Sequence, residues 1–178
     1  FEFMGPFVEF IEAKDLYYDW KTFALTGNVR NRASDRILGP GEVRDLINGF
    51  FAAHTRSMPL VAGAPEVLGR LAERGAQIVV LSNLPLANRD DRAGALRDHG
   101  MEYPLIAGRG LKGPTVKRLA ETVTAATVFI DDIPHHHDSV ARHAADVVRG
   151  HFSAHPKLRA LQRWAAKVHF QALSLIHI

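Results

Sequence analysis

Cysteine is absent from the 178 residues. That excludes disulfides, thiolate metal sites and cysteine nucleophiles together. It fits a reducing compartment, and a cytoplasmic protein is the expectation. No apolar run approaches the ~18 residues of a membrane span, and the first residues lack the charged head and apolar stretch of a signal peptide. Lys and Arg number 22 against 19 Asp and Glu, a net charge of +3. The two signs are interspersed and no basic block occurs, so no nucleic-acid partner is expected. Internal repeats and low-complexity segments are missing too.

What remains is an ordinary globular composition, 47% hydrophobic and 23% charged. Its length suits one domain, or a core with a small accessory lobe. A chain of this size buries roughly 70% of its unfolded surface and needs no covalent staples.

Two helices are predicted early. Phe7, Val8, Phe10, Ile11 and Leu16 recur at helical spacing over Gly5 to Leu16. Val43, Leu46, Ile47, Phe50 and Phe51 form one stripe over Gly41 to Thr55. Between them Gly27-Asn28 is placed to turn a small hairpin, followed by the charged run from Arg30 to Arg36. Together these make a mainly helical lobe over 1–58.

From Pro59 the pattern alternates. A helix begins near Ala64-Pro65 and closes at Gly75. A strand follows over Gln77 to Leu81, ended by Ser82-Asn83, then a helix over Asn88 to Asp98. Tyr103 to Ala107 is a short strand. A glycine-rich loop, Gly108 to Pro114, leads into a helix through Val123. Thr127 to Ile130, largely β-branched, is predicted as a strand buried on both faces. A helix over His136 to Ala144, a strand over Ala145 to Val148 and a closing helix over Pro156 to Val168 complete the order. Strands alternating with helices imply βαβ units and one parallel sheet. The apolar end, 171–178, reads as a non-native tail. The opening Phe1-Glu2-Phe3-Met4, with no methionine at position 1, reads as an internal start.

The strand over Thr127 to Ile130 runs into Asp131-Asp132, and Pro134 stops further ladder pairing. In parallel sheets ligands bind outside the carboxyl ends of the strands. Two carboxylates ~4 Å apart repel by about 4 kcal/mol at an effective dielectric near 20, so a metal ion, a lysine or a proton must offset them. The simpler alternative is that Asp132 caps the next helix.

Ser82-Asn83, also at a strand end, offers a hydroxyl and a backbone N–H to a phosphate oxygen, or is an ordinary turn pair. Lys112, ahead of a helix, can neutralise an anionic intermediate, or is a solvated loop lysine. Lys117 is its runner-up. His135, His136 and His137 are consecutive, and consecutive helical residues point in different directions, so they do not form a zinc site. One of them, near the helix start, could touch substrate. Gly108-x-Gly110-x-x-Gly113 matches a dinucleotide pattern in letters only, lacking the long first strand and the acidic ribose partner.

Taken in order, Ser82-Asn83, Lys112 and Asp131-Asp132 resemble the second, third and fourth motifs of the haloacid dehalogenase-like (HAD) hydrolase superfamily, most of whose members are magnesium-dependent phosphatases. The similarity covers about Pro59 to Val147. It implies an α/β fold with a Rossmannoid three-layer core over 59–170 and a small helical cap over 1–58. It further implies Mg²⁺ held by Asp131 and Asp132, and a small phosphorylated substrate bound by Ser82, Asn83 and Lys112, with Ser82 and Lys112 in catalytic roles. One departure is large. The family's first motif, Asp-x-Asp, carries its nucleophile, and none occurs in this chain. The expectation is a fragment that does no chemistry alone and lacks its first core strand, which the resemblance places between the strands ending at Ser82 and Asp131, so that the sheet has a gap or a rearranged centre there. The alternatives are a non-catalytic phosphate- or ligand-binding module with a degenerate HAD-like fold and, more distantly, a dehalogenase.

Overall fold

In a computed structural model the chain is mixed α/β, with seven α-helices and three small sheets among the described residues, 1–161 and 163–173. It divides into two compact units, Phe1–Gly108 and a second from Arg109 onward. The helical segment 1–58 shares the first unit with the first parallel strands. None of the helices is long and apolar enough to cross a membrane, among the described residues.

In the first unit, α1 (Met4–Glu12) packs on α2 (Pro40–His54) through rings. Phe50 is fully buried, and Phe3, Phe7 and Phe10 lie 5.3, 5.6 and 5.6 Å from it. Arg36 and the Gly39 N–H both bond Glu42 in the first turn of α2, fixing its start. The helix predicted to reach Leu16 stops at Glu12, because Asp15 turns left-handed at φ +56° and Leu16 enters β1 (Leu16–Tyr18). β1 pairs antiparallel with β2 (Val29–Asn31). No two-residue turn at Gly27-Asn28 joins them. The connection is a loop in which the Tyr18 hydroxyl donates to the Thr22 carbonyl (2.7 Å) and Asn28 Nδ2 donates to Thr22 Oγ1 and the Ala24 carbonyl (both 2.6 Å).

Further on come α3 (Ala64–Glu73), β3 (Val80–Asn83), α4 (Arg89–Asp98) and β4 (Leu105–Gly108). β3 and β4 pair in parallel, with Ser82 opposite Ala107. Leu96, Met101 and Leu105 form a core with Leu60, Leu68 and Val80 around it. The strand predicted over Gln77 to Leu81 begins instead at Val80, whose N–H reaches the Pro104 carbonyl at 2.8 Å. Pro104 has no N–H to extend the ladder backwards.

The second unit holds α5 (Gly113–Ala120), β5 (Val128–Asp131), α6 (Pro134–His143), β6 (Val148–Phe152), α7 (Pro156–Leu161) and β7 (Phe170–Ala172). Its sheet runs β5-β6-β7, all parallel. The single parallel sheet predicted from the alternation is thus two separate sheets, β3-β4 and β5-β6-β7. β5 is not buried on both faces. Phe129 and Asp131 turn inward, Phe129 against the His137 ring of α6 (5.3 Å), whereas Val128 and Ile130 remain 54% and 37% exposed.

The last strand, predicted over Ala145 to Val148, lies later at Val148–Phe152. Arg149, Gly150 and His151 look unlike strand residues, but tertiary contacts hold each in place. The buried Arg149 guanidinium donates to the carbonyls of Lys167 (2.7 Å), Ala145 (2.9 Å) and Val147 (2.6 Å). The Phe170 ring occupies the space that a Cβ on Gly150 would need. The helix predicted through Val168 stops at Leu161, and the chain returns as β7. Its approach is fixed by the Arg149–Lys167 bond and by the His169 N–H donating to the Arg149 carbonyl (2.8 Å). Gln171 and Ala172 of the predicted tail are therefore in a strand. Positions 174–178 lie outside the described residues.

Candidate functional site

Asp131 is the last residue of β5 and pairs in register with His151 of β6. Its Oδ2 accepts a charge-assisted bond from Lys112 Nζ at 2.6 Å, and the two side chains are 3% and 13% exposed. Its Oδ1 accepts the Ile133 N–H at 2.8 Å, an Asx-turn that takes the chain out of the sheet toward α6.

Lys112 stands at the N-cap position of α5. The next N–H, of Gly113, donates to Ser139 Oγ of α6 at 3.1 Å. A Cβ at 113 would overlap the Ser139 main-chain carbonyl, so only glycine lets α5 approach α6 this closely. α6 thereby fixes both ends of the ion pair: the start of α5 through Ser139 and the end of β5 through His137.

Asp132 keeps exposed surface, yet protein crowds its carboxyl. Desolvation first, and the Asp131 charge second, push that carboxyl up to about 6, with Lys112 pulling the other way. The expected lysine partner of the acidic pair is thus in place on Asp131. Asp131 and Asp132 are hard oxygen donors, and Mg²⁺ takes one or two carboxylates while keeping several waters, so the donor set fits that ion. No cluster of three or more metal-ligating side chains occurs among the described residues.

The histidines after Pro134 differ in exposure. His135 is exposed and His136 and His137 are buried. Burial pushes His136 down to about 4 and lowers His137 and His151 as well. His137 Nε2 lies 2.9 Å from the Asp131 carbonyl and His151 Nε2 lies 3.1 Å from the Asp132 carbonyl. His151 Nδ1 accepts the Ala165 N–H at 2.9 Å, and its ring meets Trp164 edge-on at 5.0 Å.

Lys112, Asp131 and Asp132 are therefore brought together. Ser82, half-buried, and Asn83, exposed, form the carboxyl end of β3 in the first unit. Lys117 is an exposed residue of α5 paired with Glu121. Gly110 at φ +90° and Gly113 against Ser139 account for two of the three spaced glycines by conformation and packing alone.

The carbonyl contact of His137, and His151, Ser139 and Arg149 altogether, are what sequence reasoning missed. A signal existed for the first: Ile133, His136, His137, Val140 and Ala144 recur at three- and four-residue spacing, an inward helical stripe that includes the histidines. In the first unit, the buried Arg92 guanidinium lies 3.9 Å from the Phe1 ring centroid, and burial lowers it to about 10.

The chain matches no protein-family model, and no curated protein matches it.

Proposed function

We propose that this chain is the phosphate-handling part of a magnesium-dependent phosphohydrolase of the HAD type, acting on a small phosphorylated substrate. One observation carries the reading: the buried Lys112–Asp131 pair, with Asp132 next in the chain, at the carboxyl end of a parallel strand. Such ends are where α/β sheets take ligands. A buried ion pair is weak as a stabilising device, since an apolar pair of similar volume packs as well. A charged pair retained there points to a charged ligand.

Asp131 and Asp132 would hold Mg²⁺, which when bound supplies charge neutralisation at phosphoryl oxygens. Lys112 presents a positioned ammonium to the same charge, and its orientation is set by Asp131 and by the Gly113–Ser139 bond. Ser82 and Asn83 are assigned to phosphoryl binding on motif order alone. The aspartyl-phosphate step needs the nucleophile of an Asp-x-Asp motif, which the 178 residues do not contain. Alone, the chain holds a half-built site and does no chemistry.

The test uses the protein expressed from its full gene. It should release phosphate from an aryl phosphate in a Mg²⁺-dependent reaction. Asp131→Asn and Lys112→Ala should each lower kcat by about 100-fold, the scale for removing one transition-state charge contact, and Lys117→Ala should not. Absence of turnover across several phosphate esters would sink the reading. The missing Asp-x-Asp favours a second one, a phosphate-binding module that never turns over. It predicts phosphate binding and no hydrolysis from the full gene as well.

A further inference from the structure

We propose that His137 and His151 are positioning residues: their Nε2–H groups hold the consecutive carbonyls of Asp131 and Asp132 and so fix the direction of both carboxylates. A strand end normally leaves such carbonyls to the ladder or to water. Asp131 is the last paired residue of β5, and where the chain turns out of the sheet two imidazoles from different elements, α6 and β6, reach its carbonyl and that of Asp132.

A carbonyl only accepts, so each Nε2 carries the hydrogen. The other nitrogen of His151 accepts the Ala165 N–H, which fixes its tautomer independently. His137 Nδ1 has no hydrogen-bond partner among the described residues, and with the one hydrogen of the neutral ring on Nε2 it is the bare nitrogen. The rings stand 5.2 Å apart, and both residues are buried. With Asp131 Oδ1 on Ile133 and Oδ2 on Lys112, the Asp131 residue is held at three points and the Asp132 backbone at one. His151 also ties the pair to the backbone at Ala165, far along the chain.

The functional consequence rests on the phosphohydrolase reading; the hydrogen bonding does not. The experiment therefore has separate arms, all on the ¹⁵N,¹³C-labelled 178-residue chain. The first reads the imidazole tautomers at pH 7.5 by two-bond ¹H–¹⁵N correlation. Both residues should show a protonated Nε2 and a bare Nδ1. An Nδ1–H tautomer or a doubly protonated ring at either position overturns the proposal.

The second compares His151→Gln, whose amide can donate to the Asp132 carbonyl and accept from Ala165, with His151→Leu, which fills space and does neither. The leucine variant should move the Asp132 carbonyl and carboxyl ¹³C resonances, and the glutamine variant should leave them near wild type. Equal displacement in both variants refutes positioning. If the leucine variant does not fold, the tautomer arm still decides.

In the third arm magnesium chloride alone is titrated against the same carboxyl resonances. His151→Leu should need about tenfold more Mg²⁺ and His151→Gln no more than about threefold, the scale for groups that orient a ligand from behind. A wild-type chain that ignores Mg²⁺ counts against the phosphohydrolase reading, while the first two arms still judge the histidines.

Discussion

Removing the Lys112 ammonium should expose how strongly the Lys112–Asp131 pair is coupled. Their side chains keep 13% and 3% of their surface and sit 2.6 Å apart, so water screens them poorly. Lys112→Met keeps the apolar stem and deletes the charge, leaving Asp131 with only the Ile133 N–H on Oδ1. Breaking a buried pair from one side costs about 3–5 kcal/mol, and we expect the lower end because that bond survives. For a chain of this size about 3 kcal/mol corresponds to roughly 6–12 °C in Tm. Asp131→Asn should cost less, about 2 kcal/mol, because the amide oxygen can still accept from Ile133 and the longer lysine can swing toward water. The double variant, Lys112→Met with Asp131→Asn, should recover part of the loss, giving a coupling energy of about 2 kcal/mol. The assay is urea unfolding followed by Trp164 fluorescence in a Trp20→Phe background, because Trp164 lies in the same unit as the pair. A coupling below about 0.5 kcal/mol, the value of a solvent-exposed pair, would refute the claim that this ion pair is built into the interior.

Acid should weaken the fold over a definite interval. His136 is buried and held at about 4, against an unfolded value near 6.5. Above pH 6.5 it is neutral in both states. Between 6.5 and 4 the unfolded chain binds the proton first, so stability falls with pH by up to ~3 kcal/mol. Asp132, raised to about 6, has the opposite sign, since from 6 down to its unfolded value the folded state holds the extra proton. Urea midpoints at pH 7.5 and 5.0 should therefore fall less in His136→Gln than in the unaltered chain, and an equal fall would contradict the assignment. Phe50→Ala should cost about 3–5 kcal/mol, because it empties the ring cluster that joins α1 to α2. A thermal melt showing less than about 1 kcal/mol would mean that cluster does not hold the helices together.

The alternating architecture was legible because hydrophobic period and breakers agree over Ala64–Glu73, Pro40–His54 and Val128–Asp131. The Lys112–Asp131 contact was legible as a need: two adjacent carboxylates require a counter-charge, and the lysine at the start of the next helix upstream supplies it. What sequence could not supply lies where tertiary contacts override local preference. The predicted strand ended at Val148 because the guanidinium, missing side chain and imidazole of Arg149-Gly150-His151 favour no strand by themselves. They become one only when Lys167, Phe170 and Ala165 arrive. The three histidines drew attention as possible ligands, which hid the plainer placement of His136 and His137 on an inward helical stripe. Nothing in a strand's own composition tells it which neighbour it will pair with, so the division of the parallel strands into two sheets was legible only through the resemblance, which implies a gap between the strands ending at Ser82 and Asp131.

Gly150 and Phe170 form a lock of a different kind. The ring on β7 fills the volume where any side chain on β6 would start. The two positions are therefore not free to drift independently over evolutionary time. In descendants of this chain a side chain gained at 150 should be preceded or accompanied by a smaller residue at 170, and a lineage that keeps one large ring there should keep its glycine. The third strand of the sheet is thus inherited as a matched pair rather than residue by residue.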